Sequence, residues 1–268
     1  MFVIANNITT RKSSVKQLFR QVKAKKYITN AILGLEELTE QCVKAGADAL
    51  EINIQQYYDT PEAMEFAVNT VQRVTDRQLC LSSYNLEAIE AGLQACKKPP
   101  IINYISMDET ALRKMFPLVG RYSAEAILLV SEPTSPTDVR DMLDKAAVLI
   151  GTANECDIPN ERLLIDPGLI HINHELGQRH LINVIQFLRA LPEVTEPPVR
   201  STCWLSNISS GIPRRLHSVV EAALLPMLAG FNLNSVFMDV LRTELSRTIR
   251  LIETFNNRTV YSDAYIEG

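Results

Sequence analysis

The chain has few of the residues and motifs on which common cofactor and metal sites depend. It has 10 glycines in 268 residues, and it contains neither a GxGxxG fingerprint nor a P-loop, which excludes the usual glycine-rich phosphate cradles. His171 and His174 lie three residues apart among only four histidines, with no carboxylate–histidine pattern around them, so we expect no metal site. The five cysteines form no CxxC pair and are expected to be reduced packing residues.

Charge and hydropathy exclude further classes of protein. The net charge of −4 arises from 27 basic and 31 acidic residues, which gives no electrostatic reason to expect nucleic acid as a partner. No apolar run approaches the roughly 20 residues that a membrane-spanning helix needs. The amino terminus also lacks a signal-peptide pattern. We therefore expect a cytoplasmic protein that binds neither nucleic acid nor a membrane.

Short apolar runs alternate with helical segments along the chain. We predict strands over 2–9, 49–54, 78–83, 100–105, 124–130, 163–165, 202–205 and 235–240. We predict helices over 35–45, 61–76, 86–96, 109–119, 137–154, 176–191, 216–229 and 243–255. Eight such units predict an α/β fold, a single (β/α)8 TIM barrel over residues 1–268. The basic stretch around Arg20–Lys26 is interpreted as an additional helix or a lid.

The predicted strands end in carboxylates and carboxamides. At or just beyond their ends lie Asn6, Asn7, Thr9, Glu51, Asn53, Ser82, Asn85, Asn103, Glu132, Asp166, Ser206, Asn207 and Asp239. In a barrel of parallel strands these positions converge on one mouth, where the chemistry of such folds takes place. No strand end carries a histidine, so a Ser-His-Asp triad lacks its base. The pattern predicts a site for a flat heterocycle rich in hydrogen-bonding groups.

Each of these polar residues also has a purely structural interpretation. Asn85 is able to cap a helix that begins at Leu86. Asp166 precedes Pro-Gly and is able to form a turn, and Asn207 is able to cap the next helix or to order a loop. Glu51 and Asn53 share one face of their strand, and if they point inward they need hydrogen-bond partners because an unpaired buried carboxylate is costly.

Five stretches carry a resemblance to a known family. They are ALEINI (49–54), LCLSSYNLEAIEAGLQACKKPPIIN (79–103), LLIDP (163–167), LSNIS (205–209) and RTVYSDAYI (258–266). The chain resembles the pterin-binding methyltransferases that move a methyl group between methyltetrahydrofolate and a corrinoid protein. It is most similar to the methyltetrahydrofolate:corrinoid/iron-sulfur protein methyltransferases. It is more distantly similar to the folate module of cobalamin-dependent methionine synthase and to dihydropteroate synthase.

The resemblance implies a dihydropteroate-synthase-like barrel and a set of ligand contacts. In the family, a carboxylate on the second strand and polar residues after the third, sixth and seventh strands hold the pterin ring. These positions fall on Glu51, Asn85, Asp166 and Asn207. To these we add, as predicted substrate-binding residues, Asn53, Asn103, Ser206 and Arg215.

The implied reaction moves the N5-methyl group of methyltetrahydrofolate to the Co(I) centre of a corrinoid, a cobalamin-type group carried by a partner protein. Asn207 is the predicted catalytic residue, because a carboxamide both donates and accepts hydrogen bonds and is able to follow a ring nitrogen through a change of protonation. The resemblance further implies a homodimer. The residue types serve either direction of methyl transfer.

Departures from the family pattern keep two alternatives open. The family usually has Asp-Ser-Thr-Asn where this chain reads Ser82-Ser83-Tyr84-Asn85, and a glycine in place of Trp204. Trp204 either lines the pocket or packs beneath a helix. The first alternative is a dihydropteroate synthase-like enzyme, for which Arg214 and Arg215 are the basic groups nearest the site. The second is a barrel that has lost turnover and survives as a non-catalytic subunit.

Overall fold

A computed structural model describes residues 1–131 and 138–268. The predicted site position Glu132 and the first residue of the helix predicted over 137–154 lie outside these described residues. Within them, no helix is long and apolar enough to cross a membrane.

The strands form one parallel sheet that curls into a nearly closed barrel. They are β1 (Phe2–Thr9), β2 (Ala49–Asn53), β3 (Gln78–Ser82), β4 (Ile101–Ile105), β5 (Glu125–Leu129), β6 (Leu163–Asp166), β7 (Arg200–Ser201) and β8 (Ser235–Met238). The order is β7-β6-β5-β4-β3-β2-β1-β8. A single parallel bridge between Trp204 and Phe237 joins the two ends of this order. The predicted TIM barrel is thus confirmed.

The helices cover the outside of the barrel and follow its strands in turn. They are α1 (Ser13–Lys23), α2 (Ile28–Lys44), α3 (Pro61–Val71), α4 (Leu86–Ala95), α5 (Glu109–Arg121), α6 (Val139–Glu155), α7 (Gly177–Ala190), α8 (His217–Ala229), α9 (Thr243–Phe255) and α10 (Asp263–Glu267). The basic stretch Arg20–Lys26 forms the end of α1 and the turn that leads to α2, so the predicted additional helix is present and two helices separate β1 from β2.

The prediction of a seventh strand over 202–205 was wrong. β7 comprises Arg200 and Ser201, which pair with Leu164 and Ile165 of β6. Beyond it, the indole of Trp204 stacks on the ring of Phe237 at 5.1 Å between ring centroids, and residues 205–207 form a 3₁₀ turn. The chain therefore leaves β6 early and crosses toward β8.

An apolar floor closes the inside of the barrel below its mouth. It consists of buried residues from seven strands: Ile4, Ala49, Cys80, Ile101, Ile127, Leu164 and Phe237. Successive residues of a strand point to opposite faces, so residues two positions further along share this inner face. Glu51, Ser82, Asn103 and Asp166 lie two residues after floor residues and form a polar layer above it.

Candidate functional site

Four polar side chains of β2, β3 and β4 form one buried network, which we call the Glu51 network. Glu51 Oε1 accepts hydrogen bonds from Asn53 Nδ2 at 3.0 Å and from Ser82 Oγ at 2.5 Å, with Asn103 Nδ2 at 3.5 Å. Asn103 Nδ2 also donates to Ser82 Oγ at 3.0 Å. Glu51, Asn53 and Ser82 are fully buried and Asn103 is 3% exposed. The inward-pointing carboxylate thus has the partners that its burial requires.

The second oxygen of Glu51 is left without a partner among the described residues. Oε2 is buried and accepts no hydrogen bond from the described residues. Burial raises the pKa of Glu51 to about 7, although hydrogen bonds from Ser82 and Asn53 act in the opposite direction. A buried acceptor without a donor costs on the order of 1–3 kcal/mol, a cost that a bound ligand with an N–H group would remove.

Asp166 provides a second carboxyl group at the end of β6. Its Oδ1 accepts the backbone N–H of Gly168 at 2.7 Å, which forms the turn that Asp-Pro-Gly predicts. Gly168 has a φ of +72°, and a Cβ there would collide with Ser131 Oγ, so only glycine fits this turn. Burial raises the pKa of Asp166 to about 7. Both carboxyl groups of the polar layer are therefore poised to change their protonation near neutral pH.

A cavity of about 270 Å³ lies at this mouth. It is lined by Arg11, Gln55, Tyr84, Tyr104, Leu169, Ile170, His171, Trp204, Asn207 and Ser210. Because Tyr84 lines the cavity and is 66% exposed, the cavity reaches the surface. Trp204 lines this cavity, as the first of its two interpretations predicts, and its indole packs on Phe237 of β8 rather than beneath a helix.

The predicted site residues after β7 differ in their placement. Asn207 is half-buried and lines the cavity, and its carboxamide forms no hydrogen bond with a described residue. Ser206 is half-buried beside it, in the same 3₁₀ turn. Arg215 is exposed in a separate turn and does not line the cavity. The structure therefore brings Asn207, but not Arg215, to the mouth.

Asn85 is occupied as a helix cap. Its Oδ1 accepts the backbone N–H of Glu87 at 3.0 Å, and its Nδ2 donates to the carbonyl of Asp59 at 3.1 Å. The capping interpretation is confirmed. A ligand contact through Asn85, which remains a prediction, would have to share one of these groups.

Several cavity residues escaped the sequence analysis. Arg11 lies two residues beyond β1, Gln55 lies two beyond β2, and Tyr84 and Tyr104 flank the site from the ends of β3 and β4. The positive charge of Arg11 acts on Glu51 and lowers its pKa against the larger effect of burial. A search of the two residues after each strand end would have found Arg11, Gln55 and Tyr84.

A separate polar cluster joins the ends of β1 and β8. Asn7 Nδ2 donates to Asp239 Oδ1 at 2.5 Å, and Lys12 Nζ lies 2.9 Å from Asp239 Oδ2. Burial alone would raise the pKa of Asp239, but Lys12 and Asn7 bring it below its usual value. In the part of the chain that the structure describes, no group of three or more His, Cys, Asp or Glu side chains is arranged to hold a metal ion.

Comparison with known proteins gives a family match and a curated relative. The profile of a family described as "Pterin binding enzyme" matches residues 23–229. A methylcorrinoid:tetrahydrofolate methyltransferase from Eubacterium limosum is 23% identical over 214 residues, which cover 77% of each chain.

Two solved structures of dihydropteroate synthase from Xanthomonas albilineans share the fold. The one with 4-aminobenzoic acid has a TM-score of 0.67 at 17% identity, over 97% of this chain and 93% of that one. The complex with 7,8-dihydropteroate has a TM-score of 0.63 at 15% identity, over 97% and 94% of the two chains. These identities support the fold alone, whereas the profile spans most of the chain, from the end of α1 through α8. The chain belongs to the pterin-binding enzyme family.

Proposed function

We propose that this protein transfers a methyl group between N5 of methyltetrahydrofolate and the cobalt of a corrinoid that a partner protein carries. The observation that carries the proposal is the buried Oε2 of Glu51, to which no described residue donates, in a polar layer that also holds the buried carboxyl group of Asp166. Neither carboxyl group lines the mouth cavity itself, whose wall includes Gln55 of the segment after β2 and Asn207. A pterin ring presents an N–H and an exocyclic amine side by side, which suits carboxylate acceptors.

The two carboxyl groups bind and orient the ring. An ionised carboxylate accepts such a pair of donors as charge-assisted hydrogen bonds, which are stronger than bonds between neutral groups. Because the pKa of both groups is raised to about 7, a donor-rich ligand stabilises their ionised forms and lowers that pKa on binding. The Glu51 network fixes one carboxyl group in place, so that its free oxygen is held in position for the ligand.

Asn207 acts at the reacting nitrogen. N5 is a poor leaving group as a free amine, so its departure from the methyl carbon requires protonation of N5 or a strong hydrogen bond to it. The unpaired carboxamide of Asn207, half-buried in the cavity wall, is the group that would supply this bond. Only interactions that are stronger in the transition state than in the ground state accelerate the reaction.

The methyl acceptor needs no protein nucleophile. A reduced corrinoid is itself a strong nucleophile and enters as the second substrate, on its carrier protein. The cavity reaches the surface at Tyr84, which gives the corrin a way to approach. The relative from Eubacterium limosum is named for transfer from methylcorrinoid to tetrahydrofolate. That direction and the one predicted from the sequence pass through the same transition state.

We also propose that the protein works in the cytoplasm and that it forms a homodimer through α8. The exposed face of this helix carries Val219, Ala223, Pro226 and Met227 without a charge, and its one acidic residue, Glu221, is buried and paired with Arg242. An apolar helix face is normally covered by another surface. A second copy of the chain would bury this face, and sedimentation of the protein and of Val219→Glu would test it. A wild-type monomer would overturn the dimer.

Methyl transfer to free reduced cobalamin tests the enzyme assignment. The protein is mixed with methyltetrahydrofolate and cob(I)alamin, and the formation of methylcobalamin is followed by its absorbance. We expect methylcobalamin to form only when protein and folate are both present. The variants Glu51→Gln and Asp166→Asn should form it more slowly. Folate binding without methyl transfer would favour the non-catalytic barrel. Condensation of a pterin pyrophosphate with 4-aminobenzoate would favour the dihydropteroate synthase-like alternative.

A further inference from the structure

The beginning of the chain is strongly basic although the protein as a whole is acidic. Residues 1–35 contain seven basic residues and no acidic residue, whereas the whole chain has a net charge of −4. The seven are Arg11, Lys12, Lys16, Arg20, Lys23, Lys25 and Lys26. The family profile begins only at residue 23, so nearly all of α1 precedes the part of the chain that it matches.

Contacts along α1 place this helix on the rim of the barrel mouth. Lys12, which precedes it, forms an ion pair with Asp239 just beyond the end of β8. The Lys16 ammonium lies 3.2 Å from the ring centroid of Tyr57, and Phe19 stacks on Tyr58 at 5.8 Å. Both tyrosines belong to the loop that follows β2. The helix therefore lies along this loop, beside the cavity that Arg11 lines.

The cations of α1 form a regular row. Lys12, Lys16 and Arg20 are spaced four residues apart, which places them on one side of the helix at intervals of about 6 Å. Arg11 precedes the row and lines the mouth cavity. A negatively charged chain that leaves the cavity would meet these cations one after another.

A second cavity, which we call the α1 groove, follows this row. It has a volume of about 510 Å³ and is lined by Ser13, Lys16, Gln17, Arg20, Gln21, Ala24, Lys26 and Tyr27. No lining residue is acidic. Lys16, Arg20 and Lys26 form no salt bridge with a described residue. The groove is a concave surface with three cations available to an anionic ligand.

We propose that the α1 groove binds the γ-linked glutamate tail of the folate substrate, an inference that rests on the proposed function. A γ-linked glutamate chain carries one carboxylate per residue. A peptide residue spans about 3.5 Å, and the two extra methylene carbons of a γ-linked glutamate lengthen this repeat to about 6 Å. The spacing of the carboxylates is therefore close to the spacing of helical cations four residues apart. The tail joins the pterin at the cavity that Arg11 lines, which places its carboxylates at the start of the row.

An acidic face of the corrinoid carrier protein is the competing occupant of these charges. The concavity favours the tail, because a slim extended chain fills a groove that a flat protein surface would bridge. The order of the cations outward from the pterin cavity also suits a ligand anchored there. Titration with folates that differ in tail length separates the two occupants.

Calorimetric titration with tetrahydrofolate that carries one or three γ-linked glutamates tests the proposal. We expect the triglutamate to bind about three- to tenfold more tightly to the wild-type protein, since two further surface ion pairs each contribute modestly. This advantage should shrink at high salt, as exposed charges are screened. In Lys16→Gln/Arg20→Gln the two ligands should bind with equal affinity, and the monoglutamate should bind as in the wild type.

Lys97→Gln/Lys98→Gln is the matched control, because it removes the same charge from exposed residues before β4, at the opposite end of the barrel. This control should keep the advantage of the triglutamate. Equal binding of the two folates to the wild-type protein would overturn the inference while leaving the proposed function intact. The inference would also be overturned if Lys16→Gln/Arg20→Gln kept the triglutamate advantage and lost only affinity for the carrier protein during methyl transfer. That result would assign α1 to partner docking. Failure of both folates to bind would instead overturn the proposed function, and the inference with it.

Discussion

The two sides of the barrel mouth differ in how far their polar groups are hydrogen-bonded within the protein. On the side of β2 to β4, one oxygen of Glu51 is held by Asn53 and Ser82 with Asn103 close by, and these side chains are almost completely buried. On the side of β6 and β7, Asp166 accepts only a backbone N–H, and the carboxamide of Asn207 bonds to no described residue. The first side is built as part of the fold, and the second keeps its polar groups available.

This difference assigns separate tasks to the two sides. The hydrogen bonds to Glu51 Oε1 hold the network in one arrangement, and removal of Glu51 leaves buried donors without an acceptor. Groups without protein partners contribute little to the fold but are free to contact a ligand. Substitutions on the first side should therefore act on stability through Oε1 of Glu51 as well as on binding through its Oε2, whereas substitutions on the second side should act mainly on binding and rate.

The largest effect on stability should come from Glu51→Ala. Three side chains lose their shared acceptor inside the barrel, so we expect the free energy of unfolding to fall by about 3–5 kcal/mol. Urea denaturation followed by circular dichroism measures it. Glu51→Gln, which keeps an acceptor in the same place, should cost less than half as much. Equal losses in the two variants would mean that the hydrogen bonds of Oε1 are not what the fold needs.

Trp204 should affect both stability and binding, because it stacks on Phe237 of the apolar floor and also lines the mouth cavity. Truncation of a fully buried aromatic side chain lowers the free energy of unfolding by about 3–5 kcal/mol. Because the indole of Trp204 is half-buried, we expect Trp204→Ala to lower it by about 2–4 kcal/mol. Folate affinity should change in the same variant. Thermal unfolding and calorimetry measure the two effects, with Trp204→Phe as the control that keeps an aromatic stack. An unchanged folate affinity would limit Trp204 to packing.

Asp166→Asn should weaken folate binding with little effect on the fold. The lost charge-assisted contact should reduce the binding free energy by about 1.5–3 kcal/mol. Asp144→Asn is the matched control, since Asp144 is exposed on α6. Calorimetry with methyltetrahydrofolate measures the affinity. If Asp166→Asn bound folate as tightly as the control, Asp166 would be a turn residue alone.

The smallest expected effect is on the pH dependence of stability. Burial raises the pKa of Glu51 and Asp166 to about 7, above their unfolded values of 4.5 and 3.8, so the folded state retains protons that the unfolded state has lost. The stability that these two groups contribute is fully present below their unfolded pKa values, and it is lost as the pH rises through the folded pKa of about 7.

Between pH 6 and 7 the wild type should thus lose about 1 kcal/mol of stability for each of the two groups, or about 2 kcal/mol more than Glu51→Gln/Asp166→Asn. Parallel denaturation curves for the two proteins at both pH values measure the difference. Equal pH dependence in the two proteins would show that these carboxyl groups titrate normally in the folded state.

Much of the fold follows from the sequence because parallel strands covered on both faces leave continuous apolar runs. The seventh strand is the exception. The apolar run over 202–205 has the composition of a strand, but the indole of Trp204 stacks on Phe237, and the ladder with β6 includes only Arg200 and Ser201. A local pattern cannot reveal a partner that lies 33 residues further along the chain.

The candidate site was partly predictable for a similar reason. The strand-end rule locates Asp166 and the Glu51 network, because the mouth of a barrel is defined by topology. It does not show which polar atoms remain unpaired, since that depends on the register that brings Ser82 and Asn103 to Glu51. The role of Asn85 as a cap and the exposure of Arg215 likewise emerge only from the three-dimensional arrangement.

Single-turnover methyl transfer by Asn207→Ala tests the central claim most directly. Methyltetrahydrofolate and cob(I)alamin are mixed with saturating protein, and the rate is compared with equilibrium folate binding. Asn69→Ala serves as the control, because it removes an exposed carboxamide from α3. The account predicts a rate about a hundredfold to a thousandfold below that of the wild type, with a much smaller loss of affinity. A saturated variant that transfers the methyl group at the wild-type rate would contradict it.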